Sequence, residues 1–110
     1  SDLNVIAHYD GVWANFSLLH AQKKDFPSHL RAIFTSLKSG GLFFISMKIG
    51  DGEKRDRLGR FYSYYRKDEL ENLLLQIGFT LEYKCQGVLR GMAGDNEEWI
   101  SFLSRKESDR

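Results

Sequence analysis

Apolar positions along the chain follow two rhythms, one suited to strands and one to helices. Tyr9–Asn15 opens on Asp10 and carries Val12, Trp13 and Ala14 as neighbours. A nearly unbroken apolar run of this length predicts a strand covered on both faces, as in parallel sheets. From Phe26 to Leu37 the apolar residues are Phe26, Leu30, Ile33, Phe34 and Leu37, which form one stripe of an amphipathic helix. Pro27 suits its first turn, and Gly40-Gly41 are expected to close its end as left-handed caps. Leu42–Met47, reading LFFISM, predicts a buried strand, and Lys48–Arg60 is polar and glycine-punctuated, which predicts a loop. A second helix is expected over Lys67–Ile77, with Leu70, Leu73, Leu74 and Ile77 on one face. Asp68 and Glu69 favour the positive end of its dipole and Gly78 stops it. Phe79–Cys85 and Trp99–Ser104 read as strands of an antiparallel hairpin, joined by a long connection holding Gly87, Gly91, Gly94 and Asp95-Asn96.

Strand, helix, strand, loop, helix, strand, strand is an α/β order. A right-handed crossover makes the first two strands parallel and lays the helices on the sheet. At 110 residues the chain is one small domain or part of a larger one. It starts with Ser1, which agrees with a processed product or a portion of a longer chain. Its 14% aromatic content, with 16 Lys+Arg against 15 Asp+Glu, excludes disordered and low-complexity classes. The net charge of +1 gives no electrostatic case for nucleic acid or an anionic membrane. No apolar run is long enough to span a bilayer. Cys85 is the single cysteine, so neither an internal disulfide nor a cysteine zinc site forms, and a reducing, cytoplasmic setting is expected. Within its strand it reads as a small apolar filler.

In order, Tyr9-Asp10-Gly11-Val12-Trp13-Ala14, Ser17-Leu18-Leu19-His20, Leu37-Lys38-Ser39-Gly40-Gly41-Leu42, Arg60-Phe61-Tyr62-Ser63-Tyr64-Tyr65 and Ile77-Gly78-Phe79 resemble the C-terminal half of a class I S-adenosylmethionine-dependent methyltransferase. The resemblance covers nearly the whole chain and rests on the order and spacing of these pieces. Ser39 stands where the family usually has proline, and Arg66 where a Thr or Ser helix cap is common. It implies a Rossmann-like sheet whose last strand lies between its two predecessors, antiparallel to the rest. It also implies that residues 1–110 are a single partial domain. The family's glycine-rich loop and ribose-binding acid belong to an N-terminal half with no counterpart here, and the adenine contact would end near Ser1-Asp2-Leu3. S-adenosylmethionine is therefore expected in the complete parent, with none bound by this chain alone and no methyl transfer without the other half.

The same resemblance places Ala14, Asn15 and Phe16 beside the donor's methionine portion, at the carboxyl end of a strand where open α/β sheets take ligands. Arg60, Tyr62 and Tyr64 precede the second helix in a segment that closes over the methyl acceptor in the family, and such an arginine grips carboxylate or phosphate bidentately. His20 is the candidate catalytic base. His8 and His29 show no ligand spacing with it, so no metal site is expected. Lys48, Lys54, Arg55, Arg57 and Arg60 are diluted by Asp51, Glu53 and Asp56, a pattern of a solvated loop rather than a nucleic-acid patch. The expected partner is a small-molecule acceptor, with only a faint lean toward an anionic one.

In a half-sheet, Tyr9–Asn15 becomes an apolar edge that needs covering by the missing portion or by a second copy in a homodimer. Two other readings compete. One is a non-enzymatic α/β module that binds a protein; the other is a flavodoxin-like nucleotide domain, for which Asn15-Phe16-Ser17 makes a poor phosphate loop.

Overall fold

A computed structural model describes residues 9–55, 58–90 and 96–107. The elements in chain order are β1 (Tyr9–Asn15), α1 (Phe26–Ser36), β2 (Leu37–Lys48), β3 (Glu53–Arg55), β4 (Phe61–Ser63), α2 (Lys67–Ile77), β5 (Phe79–Arg90) and β6 (Asn96–Lys106). Four strands form one sheet in the order β1-β2-β6-β5, and β3 and β4 form a separate hairpin. β1 runs parallel to β2, whereas β6 is antiparallel to both β2 and β5. The α/β class, the parallel pair and the antiparallel C-terminal hairpin are as expected, with the last strand inserted between its predecessors.

Alternation along the strands separates two faces. One face gathers Ala14 from β1, Phe43, Ile45 and Met47 from β2, and Ile100 and Phe102 from β6, all buried. Leu30 and Ile33 of α1 and Leu70 and Leu74 of α2 cover it. Phe34 meets Phe79 edge-on with centroids 5.0 Å apart, and Phe43 lies 5.3 Å from the same ring. The opposite face carries no helix among the described residues. Across it the pairing register aligns Trp13, Phe44, Leu103 and Tyr83 in one row over all four strands. Trp13 is 63% and Tyr83 64% exposed. No helix of the described residues is long and apolar enough to cross a membrane.

The helix ends are held by specific partners. Lys106 of β6 donates from Nζ to the carbonyls of Phe34 and Leu37, each at 3.0 Å, placing a cation on the negative end of α1. At α2 the Glu69 carboxylate accepts the Arg66 N–H at 3.2 Å, so the reach-back half of a capping box forms without Ser or Thr. Gly78 ends α2 with φ 124°, and an added Cβ would sit 3.0 Å from the Phe34 ring.

Several details correct the sequence reading. Gly40 has φ 81° but lies inside β2, because α1 stops at Ser36 and Leu37 is already extended. The Lys48–Arg60 segment is not all loop: Glu53–Arg55 pairs with Phe61–Ser63. β5 extends past Gly87, and β6 starts at Asn96, which shortens the expected connection from both sides. Cys85 is exposed rather than a filler. His8, Asp56, Arg57, Gly91, Gly94, Asp95 and the Ser1-Asp2-Leu3 contact lie outside the described residues.

Tyr65 follows β4 and is buried against Phe26 at 4.8 Å, yet among the described residues its hydroxyl has no hydrogen-bond partner. Burial first, then the nearby Glu69 and Glu53 charges, push its ionisation well above the usual tyrosine range. An unpaired buried hydroxyl costs about 1–3 kcal/mol. Tyr65→Phe is therefore expected to raise urea stability at neutral pH by about 1 kcal/mol. A raised folded-state pKa favours the fold fully below the unfolded value of about 10 and loses that contribution as pH climbs beyond it. The wild type should therefore lose about 1.4 kcal/mol per unit above that point through this residue, and Tyr65→Phe should lack that component. Equal urea midpoints at pH 7 would refute the account.

Candidate functional site

The carboxyl ends of β1 and β2 point to the same end of the sheet, because the two strands are parallel. There β1 gives way to Phe16, whose φ of 61° is the one left-handed non-glycine conformation among the described residues. Such backbone is costly for an aromatic residue and persists only where neighbours hold it. The hold is visible: the Phe16 N–H donates to the Ser46 carbonyl of β2 at 3.1 Å. Asn15 is exposed, Phe16 half-buried, and the Ala14 side chain is buried in the helix-covered core. Ala14 thus presents only backbone to a ligand.

From Phe16 the chain runs through Leu19 and His20 and is clasped by β4. The Ser63 N–H donates to the Leu19 carbonyl at 2.8 Å, and the Ser63 hydroxyl donates to the Ala21 carbonyl. His20 Nδ1 meets the Phe61 carbonyl. A carbonyl only accepts, so Nδ1 carries the proton and, in the neutral ring, Nε2 keeps its lone pair. Tyr62 braces the imidazole with ring centroids 4.7 Å apart, and Tyr64 lies 6.3 Å beyond Tyr62. Arg60 sits over Tyr62 with Cζ 5.8 Å from the centroid. The structure thus unites His20, Arg60, Tyr62 and Tyr64, which the sequence spreads over 41 positions between His20 and Phe61 alone.

Lys48 joins them and corrects its reading as part of a solvated loop. Its side chain is 17% exposed, pairs with Glu97 at 2.8 Å, and holds its ammonium 4.7 Å from the Tyr62 centroid. The available signal was its position, directly after the apolar run of β2 and hence at that strand's carboxyl end. Lys54 stands over Tyr64 at 5.3 Å. Among the described residues no group of His, Cys, Asp and Glu is arranged to hold a metal ion. A shallow depression lined by Glu71, Leu81, Glu82, Tyr83 and Lys84 lies on the opposite sheet edge, remote from this cluster.

The glycines bear on the expected cofactor site. Among the described residues the left-handed glycines are Gly40 within β2, Gly52 and Gly59 flanking the small hairpin, and Gly78 after α2. None of them opens a helix after a strand, so no backbone cradle for a dinucleotide-like cofactor exists among the described residues.

No protein-family model and no curated protein matches this sequence. Solved structures do. An S-adenosylmethionine-dependent methyltransferase from Methanosarcina mazei superposes with a TM-score of 0.81 at 16% identity, over 96% of this chain and 62% of that one. The 1,6-didemethyltoxoflavin-N1-methyltransferase of Burkholderia thailandensis, solved with 1,6-didemethyltoxoflavin and S-adenosylhomocysteine, gives 0.79 at 26% identity over 97% and 48%. The [4+2]-cyclase SpnF gives 0.73 at 16% identity over 99% and 53%. The chain has the fold of class I S-adenosylmethionine-dependent methyltransferases and corresponds to part of such a domain. It spans about half to three-fifths of the length of these neighbours.

Proposed function

We propose that this chain is the C-terminal half of an S-adenosylmethionine-dependent methyltransferase acting on a small molecule, and that it is inactive by itself. The observation that carries the reading is the sheet order β1-β2-β6-β5, with one parallel step and an inserted reversed strand, opening onto a polar and aromatic cluster at the carboxyl ends. In this reading Ala14, Asn15 and Phe16 flank the donor's methionine portion, and Arg60, Tyr62 and Tyr64 wall the acceptor. The donor, when bound, brings a methyl group already activated on a sulfonium, so the polypeptide's work is positioning, exclusion of water and proton removal. His20 takes the acceptor's proton on Nε2, with Nδ1–H anchored on the Phe61 carbonyl and Tyr62 fixing the ring. A cytoplasmic setting accords with the single, unpaired Cys85.

Calorimetric titration of S-adenosylhomocysteine tests this. The isolated chain is expected to give no binding, and the polypeptide extended by its upstream-encoded half is expected to bind. Binding by residues 1–110 unaided would overturn the half-site reading, and no binding by the extended polypeptide would overturn the methyltransferase reading.

A second reading is favoured by the helix-free face with its row Trp13, Phe44, Leu103 and Tyr83. Apolar surface of that kind marks an interface. Together with the β1 edge it suits a non-enzymatic module that binds protein, or a homodimer paired through β1. Light scattering separates these: a strictly monomeric species at high concentration counts against the homodimer.

A further inference from the structure

The loop that carries His20 is anchored on both sides of that residue. Upstream, the Phe16 N–H is tied to the Ser46 carbonyl of β2 at 3.1 Å. Downstream, the Lys23 N–H donates to the Glu53 carboxylate at 2.8 Å, and the Lys23 ammonium reaches Glu69 of α2 at 3.0 Å. Between these anchors β4 takes three successive residues. The Ser63 N–H donates to the Leu19 carbonyl at 2.8 Å, His20 Nδ1 donates to the Phe61 carbonyl, and the Ser63 hydroxyl donates to the Ala21 carbonyl. Ser63 is fully buried, and Glu53 is its direct partner in the β3–β4 register. One cross-strand pair therefore grips the loop before and after His20, while the histidine itself stays exposed.

We infer that Ser63 and Glu53 are positioning residues for His20, and that their grip on its loop sets the tautomer of the ring. A neutral imidazole carries one proton, and the hydrogen bond made by one nitrogen decides which nitrogen holds it. An unrestrained histidine side chain favours Nε2–H, a form with no lone pair on that nitrogen. Keeping the ring on the Phe61 carbonyl selects Nδ1–H and leaves Nε2 as an acceptor. The bond from ring to carbonyl is exposed to water and holds little by itself, whereas the Ser63 bonds lie further inside, where a lost partner leaves the Ala21 carbonyl unsatisfied. The Glu53 carboxylate adds a charge-assisted bond to the far side of the loop. This goes beyond the methyltransferase reading, on which it rests only for the use to which Nε2 is put.

Nitrogen NMR of the His20 ring in the 110-residue chain, in mildly alkaline buffer where imidazoles are neutral, tests this without donor or turnover. The wild type is expected to show a protonated Nδ1 and a bare Nε2. In Ser63→Ala the ratio of Nδ1–H to Nε2–H is expected to fall roughly fivefold or more, the factor that one hydrogen bond supplies. Ser36→Ala is the control. Ser36 is equally buried and donates to the Ile33 carbonyl at 2.7 Å within α1, so its loss removes the same kind of bond without touching the loop, and the His20 ring should not move. Glu53→Ala alters no buried position, because β3 is exposed throughout, and should shift the ring the same way by less. A wild-type ring on Nε2–H, a ring unmoved by Ser63→Ala, or an equal move in Ser36→Ala would each overturn the inference. Should Ser63→Ala not fold, an unmoved ring in Glu53→Ala does so. If the ring behaves as described while the extended polypeptide ignores S-adenosylhomocysteine, the methyltransferase reading falls and the positioning stands; the reverse pair of results removes the positioning alone.

Discussion

Phe43→Ala is expected to remove a large share of the stability of this domain. Phe43 is fully buried in the middle of β2, opposite Val12 of β1 and Ser104 of β6, with its ring against Phe79. Truncating such a phenylalanine costs about 3–5 kcal/mol in transfer and cavity terms, whereas small domains hold only about 5–15 kcal/mol in total. Urea titration followed by circular dichroism measures the loss. Phe44→Ala, one position along the same strand but on the helix-free face, supplies the comparison and should lose clearly less. Equal losses would mean that the face bearing Phe44 is as well covered as the face beneath the helices.

The second large effect follows from the base role proposed for His20 in a complete domain. Replacing His20 with Ala is expected to lower kcat/KM roughly 10²–10⁴-fold near neutral pH, the range typical of a lost general base. His20→Asn makes the test specific. An asparagine side chain can still donate to the Phe61 carbonyl, so it preserves the clasp between the β1–α1 loop and β4, but it carries nothing in place of Nε2. A base role predicts that the Asn variant folds normally and stays as slow as the Ala variant. If Asn restores the rate, His20 is a strut.

Much of this architecture was legible because burial writes itself into spacing. The start of α1 and both ends of α2 coincide with their apolar patterns, since each buries one continuous stripe, whereas β1 keeps its expected bounds although only Ala14 of it is buried and the strand is not covered on both faces. What escaped was governed by pairing rather than burial. Glu53–Arg55 is exposed along its whole length and held by its ladder to Phe61–Ser63, so no alternation marks it. The Gly40-Gly41 pair resembled a helix stop. Gly41 in fact lies so close to its surroundings that a Cβ would come within 2.8 Å of the Lys38 carbonyl oxygen and 3.2 Å of that of Asp10. That crowding accompanies a register shift where β1 meets β2. The candidate site was legible as a set of residue types on separate motifs. Its assembly was not, because the bond from His20 to Phe61 and the ring contact with Tyr62 depend on a hairpin that the periodicity did not reveal.

The strand order also has a consequence for folding, through the distances in sequence that its ladders must bridge. β5 and β6 meet across a short connection, whereas β1 reaches β2 through a helical crossover that sets Trp13 opposite Phe44, 31 positions on. The central β2–β6 ladder instead joins partners such as Ser46 and Ser101, 55 positions apart. Closing a loop of that size costs about 2 kcal/mol more than closing one of a few residues. The β2–β6 ladder is the longest-range pairing of the sheet, and contact order predicts that it is what slows the approach to the native state.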